Sequence, residues 1–321
     1  MNPIFYIIFN FLTGTACLMI GVKLMSSGLE KANARVMKKI LTTFTGNTYT
    51  AFATGTLLTA IVQSSAAVTV ITVGFVNSGL LKLSQAVGII YGANIGTTIT
   101  AQLMSFRLTD LALPLLGLGL LLGLFGKKNS IRNIGIALSG FGLMMTGLGI
   151  LNSGVPFIQQ SPTAYELFRK YGTNPHIGLV VGLVATMLVQ SSTATVGLTI
   201  VLFNAGLINF EAALGLTLGD NIGTCITAQL ASLGTSLSAR RTAWAHTLYN
   251  VIGVLLALLF LKPFAALVRD VTDFLNQNNT RLIANTHTIF NVLSAVLFLP
   301  LTNYYVKFIE WAVKDKKHLK I

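Results

Sequence analysis

Long apolar stretches alternate with short polar or basic segments along this chain. A helix that crosses a bilayer needs about 20 mostly apolar residues, and several stretches reach that length. Residues 30–47 mix basic and apolar residues, which predicts an amphipathic helix on the membrane surface, and residues 152–176 are predicted as a polar loop. We predict spanning helices at residues 4–29, 83–106, 108–126, 210–233, 242–261 and 282–302, and a further span that begins the second copy at about residue 131.

Two further apolar stretches carry a polar motif near their middle. Gln63-Ser64-Ser65 interrupts residues 48–80, and Gln190-Ser191-Ser192 interrupts residues 177–207. The bilayer core offers no water to backbone groups that a break sets free, so a break is tolerated only inside protein or beside a wet cavity. We therefore expect each stretch to form two half-helices that meet at the serines as a re-entrant hairpin. One long tilted helix is the alternative.

Both motifs belong to a segment that occurs twice. Residues 63–105 and 190–232 align without a gap, at an offset of 127 residues, and are identical at 21 of 43 positions. A second cluster of matches aligns Asn94-Ile95-Gly96-Thr97 with Asn221-Ile222-Gly223-Thr224. Agreement at this level indicates an internal duplication. We expect this second motif to break its helix in each copy.

The distribution of charge predicts the topology. If both hairpins are re-entrant and every other segment crosses, one side receives all the basic clusters, and the positive-inside rule makes that side cytoplasmic. The amino terminus is then outside, the carboxy terminus is cytoplasmic, and the two copies have opposite topology. Full spans in place of the hairpins would also invert the copies. The basic clusters lie at residues 31–39, 127–132, 240–241 and 314–320.

The expected fold is an all-α integral membrane protein with two inverted-topology repeats. Each repeat contains one re-entrant helical hairpin and one broken transmembrane helix. The first repeat covers residues 1–126 and the second covers residues 127–262. A C-terminal transmembrane helix and a basic tail follow at residues 263–321.

Composition narrows the class of function. Of 321 residues, 53% are hydrophobic and 10% are charged, and the mean hydropathy is +0.73, which is typical of a multi-span membrane protein. The net charge of +13 lies in short segments between apolar spans, so it does not predict nucleic-acid binding. Cys17 and Cys225 lie in apolar segments and predict neither a disulfide nor a metal site. The chain has no nucleotide-binding loop and no nucleophile constellation, so we do not expect an enzyme.

The polar motifs supply groups that bind small ions. A half-helix that starts at the serines points free N–H groups and the positive end of its dipole at the break, and such an end binds anions without a cationic side chain. The half-helix that ends there presents carbonyls, which suit sodium together with side-chain oxygens. Gly96 and Gly223 are expected to adopt backbone conformations closed to other residues. The alternative is that these small residues only allow close helix packing.

Asp220 distinguishes the second copy, because its counterpart in the first copy is Ala93. An acidic residue at membrane depth is a functional hypothesis by default. We favour a cation ligand; proton transfer and a position at the wet end of the helix are the alternatives. A shorter pattern also occurs twice, and it places a histidine and an asparagine four residues apart on one helix face. We expect interhelical hydrogen bonds there, with substrate contact as the alternative, at His246 with Asn250 and at His287 with Asn291.

The duplicated Gln-Ser-Ser motifs, each followed by Gly-x-Asn-Ile-Gly-Thr, resemble the signature of the type II sodium-dependent phosphate cotransporter family. The resemblance covers most of the chain and implies inverted repeats that move phosphate together with sodium. It implies a phosphate site at Gln63, Ser64, Ser65, Asn94, Gln190, Ser191, Ser192 and Asn221. Sodium ligands are expected at Thr97, Thr98, Thr193, Asp220 and Thr224, with Gly96, Gly223, His246, Asn250, His287 and Asn291 in support. Ala66, where a further hydroxyl is expected, and Asp220, where a small residue is more usual, depart from the family pattern.

We therefore predict a sodium-coupled secondary active transporter of inorganic phosphate, with alternating access around a midplane site between the two hairpin tips. It is expected in the plasma membrane, as a bacterial inner-membrane protein, with sodium as coupling ion and no cofactor. Phosphate, sodium and the lipid bilayer are its expected partners, with no nucleic acid; a homodimer is left open. The alternatives are a transporter of another small anion such as a carboxylate, an anion channel, and a membrane enzyme such as a lipid phosphatase.

Overall fold

The computed structural model describes residues 3–43, 45–106 and 108–314, and the regular secondary structure in these ranges is helical, as the sequence predicts. The predicted basic tail lies outside the described residues from residue 315 onward. The first helices are α1 (Pro3–Thr43), α2 (Thr48–Val62), α3 (Ser65–Asn77), α4 (Leu83–Ser105) and α5 (Ala112–Phe125). The next are α6 (Asn129–Gln160), α7 (Pro162–Tyr171), α8 (Pro175–Val189), α9 (Ser192–Asn204) and α10 (Phe210–Gly223). The last are α11 (Ile226–Ala231), α12 (Leu237–Leu259), α13 (Leu261–Phe274), α14 (Leu282–Phe298) and α15 (Thr302–Ala312).

The chain divides into two compact units. Unit A consists of Met1–Ala34, Thr100–Gly223 and Leu261–His287. Unit B consists of Arg35–Ile99, Thr224–Phe260 and Thr288–Ile321. The Gln-Ser-Ser motif of the first copy therefore belongs to unit B, and that of the second copy belongs to unit A.

Several helices have the length and composition of membrane spans. Within the described ranges, three do so alone, at Ile4–Asn33, Asn129–Gln160 and Leu237–Leu259. Three more spans result if each pair of helices bent by more than 40° counts as one. These pairs are Leu83–Ser105 with Thr109–Phe125, Pro162–Tyr171 with Pro175–Val189, and Asn279–Phe298 with Thr302–Ala312. The helices are those of a multi-pass membrane protein, and the side on which each loop lies stays a prediction.

Glycines bring two helices into backbone contact in each unit. In unit B, a Cβ added at Gly92 of α4 would lie 2.0 Å from the carbonyl oxygen of Phe52 in α2. In unit A, a Cβ added at Gly219 of α10 would lie 2.0 Å from the carbonyl oxygen of Leu179 in α8. Both residues of the second contact lie 127 positions after those of the first. The duplication in the sequence is thus also a duplication of packing, built on small residues four apart.

The second motif of the duplication behaves differently in the two copies. The prediction that it breaks α4 is wrong, because α4 continues from Leu83 to Ser105. In the second copy the break is present, since α10 ends at Gly223 and α11 begins at Ile226. The expectation of an unusual backbone at Gly96 and Gly223 is wrong as well: both are helical, and the glycines with positive φ are Gly79, Gly206 and Gly234. Gly96 and Gly223 instead allow close approach, because a Cβ on either would lie 2.7 Å from a carbonyl oxygen of the neighbouring helix.

Two other predicted boundaries are absent. Helix α1 continues without interruption through residues 30–43, where we expected a separate surface helix. The predicted polar loop at residues 152–176 contains the end of α6 and all of α7. Within unit A, α1 and α6 run antiparallel, because Gly14 meets Leu151 whereas Gly28 meets Ala137.

Candidate functional site

The first Gln-Ser-Ser motif separates two helices in unit B. Helix α2 ends at Val62, and Gln63 adopts a left-handed conformation with φ 57° while its N–H donates to the carbonyl oxygen of Thr59 at 2.7 Å. Ser64 is extended, and its hydroxyl oxygen accepts a hydrogen bond from the Ala67 N–H at 3.2 Å. The motif is therefore both the C-cap of α2 and the N-cap of α3.

The second motif repeats this geometry in unit A. Gln190 has φ 54°, and its N–H donates to the carbonyl oxygen of Thr186 at 2.7 Å. The hydroxyl oxygen of Ser191 accepts a hydrogen bond from the Ala194 N–H at 3.3 Å. A left-handed glutamine is uncommon, yet it occurs at the same position of both copies. The prediction of half-helices that meet at the serines is confirmed in both.

The two serines of each motif have different roles. The first, Ser64 or Ser191, uses its hydroxyl oxygen to cap the following helix. The second, Ser65 or Ser192, is the first residue of that helix, and its hydroxyl takes no part in the capping. First-turn N–H groups have no carbonyl partner within a helix, so each break presents N–H donors and a serine hydroxyl at the positive end of a helix dipole. This combination suits a small anion.

In unit A, the chain folds back at the second motif. Thr186 of α8 and Thr195 of α9 are nine residues apart, yet their hydroxyl oxygens are separated by 2.8 Å. An unbroken helix would place them about 13 Å apart along its axis, so α8 and α9 must turn back on each other. The fold within this unit thus has the form of a hairpin; its entry and exit on one side of a membrane stay predicted.

Asp220 joins the same cluster. Its Oδ1 lies 3.1 Å from the hydroxyl oxygen of Thr186. A carboxylate only accepts hydrogen bonds, so Thr186 donates to Asp220 and accepts from Thr195. Thr186 and Asp220 are fully buried, and Thr195 is 5% exposed. The cluster joins α8, α9 and α10 through three side-chain oxygens in the interior of unit A.

The second carboxylate oxygen of Asp220 remains available. Oδ2 is buried and has no hydrogen-bond partner among the described residues. The nearest cationic candidate is His287, whose Nε2 lies 3.9 Å away, too far for a hydrogen bond. A buried acceptor without a partner is costly, so this oxygen is suited to a ligand.

Unit B holds a different cluster of polar side chains, which includes Asn94 of the Asn-Ile-Gly-Thr motif. The side-chain amide of Asn94 donates to Oδ1 of Asn250 at 3.0 Å, and the amide of Asn250 donates to Sγ of Cys225 at 3.1 Å. The predicted interhelical hydrogen bond is thereby confirmed for Asn250. It is absent for His246, since neither ring nitrogen has a hydrogen-bond partner among the residues the structure describes.

Two other predicted site residues form hydrogen bonds within their own helix. Asn221 donates through its side-chain amide to the carbonyl oxygen of Thr217 at 2.8 Å, one turn earlier in α10. The Thr98 hydroxyl donates to the carbonyl oxygen of Ile95 at 2.8 Å within α4. Thr97, Thr193 and Thr224 are half-buried. Among the predicted sodium ligands, Asp220 is therefore the one that the structure joins to further side-chain oxygens.

Thr186 and Thr195 are site residues that the sequence analysis missed. Their counterparts in the first copy, at the offset of 127, are Thr59 and Val68. Val68 and Ala93 are thus both apolar where the second copy has Thr195 and Asp220. Two simultaneous changes from apolar to polar in one copy are a signal of spatial contact, and this signal is readable from the alignment of the copies.

Comparison with known proteins gives one family and several relatives. The profile of the family described as Na+/Pi-cotransporter matches residues 17–153 and 160–274. The chain is 30% identical over 296 residues to the uncharacterized protein YqeW of Bacillus subtilis (strain 168), covering 92% of this chain and 95% of that protein. No solved structure matches the chain.

Two further similarities involve longer proteins. The chain is 28% identical over 310 residues to a protein of Salmonella typhimurium provisionally named inorganic phosphate export protein YjbB, covering 97% of this chain but 56% of that relative. It is 35% identical over 92 residues to the sodium-dependent phosphate transport protein 2A of Ovis aries, covering 27% of this chain and 14% of that protein. The chain therefore spans about half the length of the export protein and aligns with a small part of the ovine protein.

Proposed function

This chain belongs to the Na+/Pi-cotransporter family, and we propose that it is a secondary active transporter that carries inorganic phosphate across the plasma membrane together with sodium. The observation that supports the proposal most strongly is the matched pair of helix breaks, at Gln63–Ser65 and Gln190–Ser192, with the same backbone angles in both copies. Paired breaks at matching positions are what transporters use to bind ions within the bilayer.

Phosphate fits the groups that each break offers. Its oxygens are acceptors, and each break provides helix N–H donors and a serine hydroxyl at a positive dipole end. A carboxylate has fewer oxygens to share between two such ends. We propose that the two breaks bind one phosphate between them near the middle of the membrane, with Asn94 and Asn221 in support.

The proposed mechanism uses inverted repeats and alternating access. The antiparallel contact of α1 with α6, which begin the two copies, supports opposite topology of the copies. The fold-back of α8 and α9 supports a re-entrant hairpin in the second copy. We propose that the hairpins enter from opposite faces, with the amino terminus outside and the carboxy terminus cytoplasmic.

Reconstitution tests the function. In proteoliposomes of purified protein, an inward sodium gradient should accumulate radiolabelled phosphate above equilibrium, and collapse of the gradient should release it. Arsenate should compete with phosphate, whereas dicarboxylates should not. Accumulation of a dicarboxylate would indicate another anion as the substrate. Flux that never exceeds equilibrium would indicate a channel.

Export is a second candidate for the physiological direction. It is favoured by the provisional name of the enterobacterial relatives, to which 97% of this chain aligns. A coupled carrier moves both solutes either way, and the sum of their gradients decides the net direction. Proteoliposomes preloaded with sodium and labelled phosphate should therefore release phosphate faster than vesicles preloaded with phosphate and potassium.

The left-handed glutamine provides a separate prediction. Gln190→Gly removes the side chain while keeping a residue that adopts positive φ without strain, so the break should persist and stability should change by at most about 1 kcal/mol. Because Gln190 is a proposed phosphate ligand, the phosphate concentration for half-maximal transport should rise about tenfold. Thermal unfolding and phosphate kinetics measure the two effects. Transport equal to wild type would assign Gln190 a purely conformational role.

A further inference from the structure

We propose that Thr186, Thr195 and Asp220 form a binding site for one sodium ion, and that this site exists only in the second repeat. The inference rests on the proposed function, because it takes sodium to be the coupling ion. It adds two sodium ligands, Thr186 and Thr195. It also makes the two repeats different, because only the second repeat binds sodium at this position.

The chemistry of the cluster suits a small hard cation. The Thr186 hydroxyl oxygen lies 2.8 Å from that of Thr195 and 3.1 Å from Oδ1 of Asp220, so it links three side-chain oxygens. One of them belongs to the Asp220 carboxyl group, whose second oxygen is buried without a hydrogen-bond partner among the described residues. A lone buried carboxylate is unfavourable unless a cation accompanies it. A sodium ion among these oxygens would neutralise the charge and occupy the vacant acceptor.

The C-terminal end of α8 adds negative potential near the proposed sodium site. Helix α8 ends at Val189, and the Gln190 N–H donates to the carbonyl oxygen of Thr186. The last carbonyls of a helix have no N–H partner within it and carry the negative end of the dipole. Asp220 and the end of α8 thus contribute negative potential to the same part of unit A. The break at the beginning of α9, where we propose that phosphate binds, has no charged side chain and follows Gln190 directly along the chain.

The first repeat supplies an internal comparison. The positions equivalent to Thr186, Thr195 and Asp220 are Thr59, Val68 and Ala93. Val68 and Ala93 are buried in one apolar cluster of unit B, together with Leu58, Val62 and Ile89. Thr59 keeps a hydroxyl, but two of the three oxygen-bearing side chains and the charge are absent. The backbone geometry of the two breaks is the same, so the difference lies in these side chains.

The test compares matched variants in sodium titrations of phosphate transport and in direct binding of radiolabelled sodium. Thr195→Val removes one hydroxyl at nearly constant volume, and Asp220→Asn removes the charge while keeping the shape. Each should raise the sodium concentration for half-maximal transport at least about tenfold and should reduce sodium binding in detergent. Thr186→Val should have the same effect. Thr59→Val, the same change at the position of the first repeat that is equivalent to Thr186, should leave both sodium curves unchanged.

The outcomes separate this inference from the proposed function. Phosphate uptake by Thr195→Val at saturating sodium should remain, which shows that the variant is folded and binds phosphate. If wild-type flux is sodium-dependent but Thr195→Val and Asp220→Asn keep the wild-type sodium curve, the site is elsewhere. If Thr59→Val shifts the curve as much as its counterpart Thr186→Val, the repeats are equivalent and the asymmetry is wrong. If wild-type flux ignores sodium altogether, the sodium part of the proposed function fails first.

Discussion

Gly219→Ala is expected to prevent α8 and α10 from packing and to leave little folded protein. The added Cβ would lie 2.0 Å from the carbonyl oxygen of Leu179 and 2.8 Å from the backbone N of Leu183. Carbon atoms in contact need roughly 3.5 Å, and both obstacles are backbone atoms of a rigid helix. The two helices would have to separate by roughly 1 Å or more along a contact that four other glycines share, at Gly178, Gly182, Gly215 and Gly223. Overpacking on this scale costs about 3 kcal/mol or more.

Size-exclusion chromatography in detergent and thermal unfolding measure the effect, and Gly74→Ala is the control. Gly74 lies within α3 and an added Cβ there has no heavy atom within 4 Å, so alanine should raise stability by about 0.5–1 kcal/mol. The equivalent change in the first repeat, Gly92→Ala, should be as harmful as Gly219→Ala. Wild-type stability of Gly219→Ala would mean that the two backbones are not in contact at this position.

The Gln-Ser-Ser breaks were predictable because their signal is local. A polar triplet in an apolar stretch, repeated at a fixed offset, leaves few alternatives within lipid. The structure adds two features that the sequence pattern does not predict, the left-handed φ of Gln63 and the different roles of the two serines. Ser64 and Ser65 are identical in type and neighbours in sequence. Their roles differ because one precedes the helix and the other is its first residue.

The Asn-Ile-Gly-Thr motif was harder to interpret because glycine has two uses in membrane helices. It can release the backbone for a break or allow another helix to approach closely. In the first copy, α2 packs against α4 at Gly92 and Gly96, and α4 is continuous. The second copy breaks after Gly223 although its glycines pack in the same way. Packing therefore does not explain the difference between the copies, and the nearest sequence difference is Cys225 in place of Thr98.

The cluster of Thr186, Thr195 and Asp220 was only partly predictable, because it is a product of tertiary structure. Asp220 was evident from its charge in an apolar segment. Thr186 and Thr195 look like ordinary helix residues until the chain folds back between them. The repeat alignment holds the missing information, since it shows where one copy became polar and the other stayed apolar. Comparison of the two copies thus predicts contacts that the sequence of a single copy does not.

Replacement of Ser65 and Ser192 together by alanine is expected to abolish phosphate transport at physiological phosphate concentrations. Each serine is the first residue of the helix that follows a break, and neither hydroxyl is used for capping. A hydrogen bond to a charged group is worth about 1.5–3 kcal/mol, so the loss of two should weaken phosphate binding by a hundredfold or more, on the order of 3 kcal/mol or above. Sodium-driven uptake at several phosphate concentrations measures the change. Stability should be almost unaffected, because no capping bond is lost.

The first serine of each motif provides the matched control. Ser64→Ala with Ser191→Ala removes two N-cap hydrogen bonds, to the N–H groups of Ala67 and Ala194. Each cap is worth about 1 kcal/mol, so this pair should lower the unfolding temperature more than the other pair does. If Ser65 and Ser192 donate to phosphate, the two double variants should have different defects. Ser65→Ala with Ser192→Ala should mainly lose phosphate affinity, whereas Ser64→Ala with Ser191→Ala should mainly lose stability. Unchanged phosphate uptake in Ser65→Ala with Ser192→Ala would place the anion elsewhere, because these serine hydroxyls would then contribute nothing to phosphate binding.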